Sequence, residues 1–111
     1  MTPREIAERH VARFNEGVRS GDWEPMLAGL ADEAELRFEN VPVGPFAGRE
    51  AIRAAYVEQP PDDEIVPLGI QERDDRTVVV AFAWSRGGTG RLVLEHERGL
   101  VTVLTVVFDE R

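Results

Sequence analysis

The chain has 111 residues, of which 42% are hydrophobic, and its 21 acidic and 13 basic side chains give a formal net charge of −8. This length suits a single domain with its own core. The acidic excess argues against nucleic acid or an anionic membrane surface as a partner, because binding to either requires Lys and Arg.

The residue types also limit the cellular setting. The chain has no Cys, which excludes disulfides and thiolate metal sites and agrees with a reducing compartment. Its N-terminal segment lacks the apolar stretch of a signal peptide, and no apolar run reaches the ~18 residues that span a bilayer. We therefore expect one domain over residues 1–111, located in the cytoplasm, with neither a membrane nor nucleic acid as a partner.

The N-terminal part of the chain predicts two helices. Residues 2–5 (TPRE) have the pattern of a capping box with Pro at the first helical position, and apolar side chains then recur at helical spacing as far as Val18. Residues 20–22 (SGD) are predicted to end this helix. Asp22 can cap a second, short helix that reaches Leu30. The acidic pair at residues 32–33 is predicted to end this helical region.

The remaining elements are one further helix and several strands. Residues 35–39 alternate between charged and apolar side chains, which predicts a half-buried strand, and residues 48–58 predict a third helix. After a Pro-rich turn, four more strands are predicted at residues 65–71, 77–85, 91–97 and 100–108. Helices followed by strands indicate an α+β class, with three N-terminal helices packed on an antiparallel sheet.

Two of these strands, TVVVAFAW at residues 77–84 and LVTVLTVVF at residues 100–108, are apolar or uncharged on both faces. Helices cover only one face of an antiparallel sheet, and soluble proteins rarely expose a wide apolar patch. We therefore expect a homodimer through the sheet. The alternative is that strand curvature and the N-terminal residues cover the second face within one chain.

Short motifs at residues 20–23 (SGDW), 30–34 (LADEA), 46–52 (FAGREAI) and 104–109 (LTVVFD) follow one another along almost the whole chain. In this order and spacing they resemble the nuclear transport factor 2-like superfamily, which includes ketosteroid isomerases, SnoaL-like polyketide cyclases and limonene epoxide hydrolases. The resemblance implies a strongly curved sheet wrapped around three helices. It thus implies a cone of the cystatin-like roll type with an apolar pocket.

The resemblance to ketosteroid isomerases also implies where catalytic groups belong. Such an enzyme uses a carboxylate base and two hydrogen-bond donors that stabilise an oxyanion. The corresponding positions fall on Phe14, Phe38 and Leu92, none of which carries the required group. The usual ketosteroid isomerase mechanism is therefore not expected here.

A limonene epoxide hydrolase-like site is not expected either. The resemblance places its bridging Arg and its two carboxylates near Ala81, Ala83 and Val106, which leaves only the Asn of that site matched, by Asn40. Two hypotheses remain. The chain is a SnoaL-like isomerase or cyclase that moves a proton on a steroid- or polyketide-like compound, or it is a non-catalytic module for ligand binding or dimerisation.

His96 is the candidate catalytic base. An imidazole can accept a proton near neutral pH, and alternation along the strand places His96 on the face of Leu94 that is predicted to line the cone. A position near the end of the hairpin, facing solvent or bonded to backbone, is the alternative. His10 is expected at the edge of the apolar stripe on the first helix.

The predicted pocket combines aromatic residues with a few polar groups. Asn40 shares the parity of Phe38 and has two possible roles, a hydrogen bond to a ligand or a cap on the following turn. The Tyr and Trp side chains are expected either in the core or as donors to a bound carbonyl. The two His residues have no metal-ligand spacing, so we expect neither a metal nor a cofactor. The pocket residues are predicted to be Phe14, Phe38, Asn40, Tyr56, Trp84 and Leu94, around a small apolar molecule.

Overall fold

The computed structural model describes residues 1–109. Within them the chain forms three helices and one six-stranded sheet, which confirms the predicted α+β class. The elements in chain order are α1 (Pro3–Ser20), α2 (Glu24–Leu27), β1 (Leu30–Glu39), β2 (Phe46–Ala47), α3 (Arg49–Glu58), β3 (Ile65–Glu72), β4 (Thr77–Trp84), β5 (Thr89–Glu97) and β6 (Leu100–Phe108).

The sheet is mixed rather than purely antiparallel. Its strand order is β2-β1-β6-β5-β4-β3, and every neighbouring pair is antiparallel except β1 and β6, which run parallel. The strands β3 to β6 form a meander, and its last strand returns beside β1. Because β2, α3 and β3 to β5 lie between β1 and β6 in the chain, the pairing of these two strands is not visible in the local pattern of either one.

Helix α1 begins with the predicted capping box. The Thr2 hydroxyl accepts a hydrogen bond from the Glu5 amide at 3.1 Å, and the Glu5 carboxylate accepts one from the Thr2 amide at 2.9 Å. The helix ends at Gly21, whose φ of 79° lies in the left-handed region that glycine adopts without strain. Local sequence therefore sets both ends of α1.

Helix α2 is shorter than predicted. It spans a single turn, Leu30 already belongs to β1, and the acidic pair Asp32 and Glu33 lies inside that strand instead of ending a helix. Both acidic side chains are exposed, so the strand accommodates them on solvent-facing positions. The charge of these two residues therefore reflects exposure within a strand and not the end of a helical region.

The sheet has an inner face against the helices and an outer face without helices. One row of paired inner residues runs across four strands through Phe38, Val106, Leu92 and Val80. Helix α1 packs against β3 and β4, and α3 packs against β1 and β2, so the core lies between the helices and this inner face. The cavity described next opens at one end of that core.

Candidate functional site

A cavity of about 160 Å³ lies between α1, α3 and the inner face of the sheet. Its walls are almost entirely apolar, and no Asp, Glu, Lys or Arg within residues 1–109 lines it. All six strands form part of the wall, since β1 to β6 each contribute at least one side chain. The lining residues are His10, Phe14, Leu36, Phe38, Val43, Phe46, Ala55, Tyr56, Gln59, Pro61, Ile65, Trp84, Leu92, Leu104, Val106 and Phe108.

Two polar side chains lie inside this apolar wall. His10 stands one helical turn before Phe14 on α1, so both project to the same side, and Tyr56 comes from α3. His10 and Tyr56 are each only 6% exposed, and neither side chain hydrogen-bonds to another residue within 1–109. The cavity therefore contains two polar groups that lack a protein partner.

Both groups are uncharged near neutral pH. Burial lowers the pKa of His10 to about 4, and the positive charge of Arg13 acts in the same direction. Burial raises the pKa of the Tyr56 phenol well above its ordinary value. A neutral imidazole has one donor and one acceptor, and a phenol can donate or accept, so together they can hold a small polar group of a ligand.

The mouth of the cavity is aromatic. The rings of Trp84 and Phe108 stack with centroids 5.7 Å apart, and Phe38 stacks on Phe108 at 6.4 Å. Phe46 from β2 meets the edge of Phe38, also at 6.4 Å, while Val43 from the preceding loop is 46% exposed beside them. These half-buried rings present flat apolar surfaces to anything that enters.

Four of the predicted pocket residues, Phe14, Phe38, Tyr56 and Trp84, line the cavity together. Leu94, the fifth apolar or aromatic candidate, does not. It is fully buried one row deeper, paired with Val78 on β4 and Leu104 on β6, and belongs to the solid core. The alternation along β5 correctly predicted that Leu94 faces inward, but it could not predict that the cavity ends before this residue.

Asn40 lies outside the cavity and has a structural role. Its side-chain amide donates a hydrogen bond of 2.6 Å to the carbonyl of Phe108, and its φ of 70° is in the left-handed region that Asn tolerates. This bond ties the end of β1 to the end of β6. This bond reaches β6, so the side chain neither caps the following turn nor lines the cavity, the two roles that the sequence left open.

His96 lies at the opposite end of the sheet. It follows Leu92 by four residues along β5, which corresponds to roughly 13 Å at the rise of an extended strand. Its amide donates to the carbonyl of Arg76, its side chain is 7% exposed, and its Nε2 atom is buried without a partner. The structure therefore does not bring His96 to the cavity that was predicted to hold it.

His10 lines the cavity, although the sequence predicted it only at the edge of the apolar stripe. It precedes Phe14 by four residues, which is the spacing of side chains on one helical face, yet it was assigned to the edge of the stripe. Its position in the i, i+4 pattern was the available signal. The positions proposed for the hydrolase-like Arg and Asp are also corrected, since Ala81 and Ala83 lie on the outer face and only Val106 lines the cavity.

The profile of the SnoaL-like domain family matches residues 11–109. The chain belongs to this family. The match includes every cavity-lining residue except His10, and it confirms the superfamily that the sequence motifs resembled. No curated protein matches the chain.

Solved structures share the fold of this SnoaL-like domain. A nuclear transport factor 2-like protein of unknown function from Cytophaga hutchinsonii has a TM-score of 0.76 and 17% identity, over 98% of this chain and 91% of its own. A provisionally named ketosteroid isomerase from Kribbella flavida has a TM-score of 0.76 and 22% identity, over 97% and 78%. A provisionally named polyketide cyclase from Pseudomonas putida has a TM-score of 0.72 and 16% identity, over 98% and 92%.

Two further findings concern the described residues. No helix within 1–109 is both long and apolar enough to cross a membrane. No group of three or more His, Asp or Glu side chains in the same range is arranged to hold a metal ion.

Proposed function

We propose that this SnoaL-like domain binds one small, apolar and uncharged molecule in the cavity between α1, α3 and the sheet. The observation that carries the proposal is an apolar cavity that contains two neutral polar groups without protein partners, His10 and Tyr56. Buried polar groups are costly when they lack a partner, so a bound molecule that satisfies them gains affinity. The fold shared with proteins named as an isomerase and a cyclase supports the assignment of this cavity as a ligand site.

Binding is favoured over proton transfer. The cavity lining within residues 1–109 has no carboxylate, and a His10 with a pKa of about 4 is a weak base at neutral pH. If the domain is an isomerase or cyclase, His10 and Tyr56 are the groups within reach of the ligand, and His96 is not. We therefore place the non-catalytic binding module first and proton transfer by His10 second.

A pair of substitutions on α3 tests the binding proposal. Ala55 lines the cavity and Ala54, its neighbour, is exposed, so the same change at the two positions separates filling of the cavity from an effect on the helix. Ala55→Leu inserts three carbon atoms into a space of about 160 Å³ and should weaken binding of toluene at least about tenfold. Ala54→Leu should leave binding unchanged.

The measurement is a titration with toluene followed by two-dimensional NMR. Wild-type protein should show shifts at residues that line the cavity, and Ala55→Leu should lose them. Toluene shifts confined to the outer face of the sheet, or equal binding by wild type and Ala55→Leu, would contradict the proposal. Thermal melts of both variants establish that they are folded.

The second part of the proposal is a homodimer through the outer face of the sheet. Ala81 and Val66 are exposed on this face, and Val93 and Val103 are half-buried beside them. Both charge signs border these residues, with Glu95 opposite Val103 and Arg91 opposite Ala81, so two copies related by a two-fold axis can pair acidic with basic side chains. The cytoplasmic location expected from the sequence stays a prediction.

A further inference from the structure

The volume of the cavity limits the ligand to the size of a single ring. The cavity measures about 160 Å³. An engineered protein cavity of about 150 Å³ accommodates benzene, whereas sites for drug-sized ligands measure roughly 300–1,000 Å³. A steroid with four fused rings therefore exceeds this space. The size limit thus differs from the expectation of a steroid- or polyketide-like compound that the resemblance implied.

The lining of the cavity excludes a charged ligand. No charged side chain within residues 1–109 lines it, and an ion buried without a counter-charge is strongly disfavoured. The cleft outside the mouth, which shares Trp84 and Phe108 with the cavity, is lined by the carboxylates of Asp62, Asp63 and Asp109. Asp62 and Asp109 lie 3.2 and 4.0 Å from Arg86 and Arg91, so the exclusion of a charged ligand rests on the uncharged lining of the cavity itself.

The polar groups set the number of hydrogen bonds that a ligand can make. Apart from the indole N–H of Trp84 at the mouth and the amide of Gln59, which is exposed at the rim, His10 and Tyr56 carry the polar side-chain atoms of the cavity lining. A single oxygen atom can accept from the phenol of Tyr56 and also bond to the imidazole of His10, since the neutral imidazole both donates and accepts. A ligand with more polar groups would bury them against hydrocarbon.

The stacked rings at the mouth favour a flat ligand. Phe38, Phe108 and Trp84 present aromatic surfaces whose quadrupoles prefer offset or edge-on contact with another ring. We infer that the ligand of this domain is an uncharged monocyclic compound that carries one hydroxyl or carbonyl oxygen, held by His10 and Tyr56. This inference rests on the proposed function, because it names the chemical class of the molecule that the cavity binds.

The test is a comparison of four probes by calorimetric or NMR titration. Three probes share the methylphenyl frame: toluene has no oxygen, p-cresol has a neutral hydroxyl and 4-methylbenzoate has a charged carboxylate. The fourth probe, progesterone, tests the limit on ligand size. We expect p-cresol to bind roughly 2- to 12-fold more tightly than toluene, the ratio that one neutral hydrogen bond supplies. Neither 4-methylbenzoate nor progesterone should bind in the cavity.

Tyr56→Phe removes only the hydroxyl and provides the matched variant. It should weaken binding of p-cresol about tenfold and leave binding of toluene unchanged, whereas general damage to the fold would weaken both. A thermal melt of the variant verifies folding. Equal loss of both probes would overturn the assignment of the hydroxyl as a ligand contact.

The remaining outcomes separate the inference from the proposal on which it rests. Binding of toluene as tight as that of p-cresol leaves the apolar cavity in place and overturns the oxygen contact. Preferred binding of progesterone or of 4-methylbenzoate overturns the limits on size or charge. Failure of all four probes to bind overturns both the inference and the proposed function.

Discussion

His10 is a polar residue within an apolar helical face, and its environment alters its acid–base behaviour. The imidazole is buried, and Arg13 on the next turn adds a like charge to its protonated form. Both effects oppose protonation, so the pKa falls from 6.5 to about 4. The neutral imidazole is therefore the form that faces the cavity over the whole physiological range.

This depressed pKa makes the stability of the protein depend on pH through His10. The unfolded chain binds the proton with a pKa of 6.5 and the folded chain with a pKa of about 4, so folding is unaffected above pH 6.5 and is increasingly opposed as the pH falls toward 4. We predict a loss of about 3 kcal/mol in the free energy of unfolding from this group between pH 7 and pH 4.

His10→Gln isolates the contribution of the imidazole. The variant lacks the titrating ring and keeps every surface carboxylate, so urea denaturation of both proteins at pH 7 and pH 4 cancels the other groups. We expect the free energy of unfolding of wild type to fall by about 3 kcal/mol more than that of the variant. Parallel pH dependence in the two proteins would contradict the buried, neutral His10.

At the scale of elements, α1 is in close contact with the ring of Trp23, the residue that immediately precedes α2. A Cβ atom added at Gly17 would lie 2.5 Å from Cζ3 of Trp23 and closer still to Cε3. The indole has little room to move away, because its ring centroid lies 5.7 Å from that of Phe14 and 4.9 Å from that of Tyr56, which packs edge-on against it. Gly17 thus allows α1 to approach the ring that supports the cavity tyrosine.

Gly17→Ala provides a prediction in which packing and helix propensity have opposite signs. Ala in the interior of a helix is favoured over Gly by about 1 kcal/mol, but the clash with Trp23 should outweigh this gain. We expect a net destabilisation of about 1–3 kcal/mol in urea denaturation. The exposed Ala12 of the same helix supplies the control, since Ala12→Gly should cost only the propensity difference. A stabilised Gly17→Ala protein would show that the ring moves freely.

At the scale of the whole molecule, the outer face of the sheet is less exposed than its composition indicated. Val79, Thr105 and Val107 are already at least nine-tenths buried within one chain. The apolar surface left for a partner lies on the exposed Ala81 and Val66 and on the half-buried Val93 and Val103. The case for a dimer therefore rests on a narrower strip than the sequence predicted, bordered by charges of both signs.

Val93→Glu tests the proposed dimer. A carboxylate at the centre of the outer face would be buried against apolar side chains of the second copy, which strongly disfavours association. We expect wild type to elute with the mass of a dimer in size-exclusion chromatography with light scattering, and Val93→Glu with the mass of a monomer. Ala54→Glu adds the same charge on α3 and should stay dimeric. A monomeric wild type would exclude the dimer.

The sequence by itself determined the elements that depend on neighbouring residues. The capping box at Thr2 and Glu5, the helical spacing that leads to Phe14, and the alternation around Phe38 each follow from contacts over a few positions. The ordered motifs likewise sufficed to place the chain in its superfamily. Four of the six predicted pocket residues line one cavity because local periodicity predicts which face of an element is buried.

Only the tertiary structure decided how far along each element the cavity lies and which strands meet. Leu94 and His96 share a buried face with Leu92, yet the cavity ends at Leu92, and periodicity carries no information about that depth. The parallel pairing of β1 with β6 joins distant parts of the chain, so no local pattern encodes it. The cavity imidazole is His10 and not the predicted His96 for the same reason. Local periodicity indicates which way a side chain faces, but long-range packing decides where along the element the cavity lies.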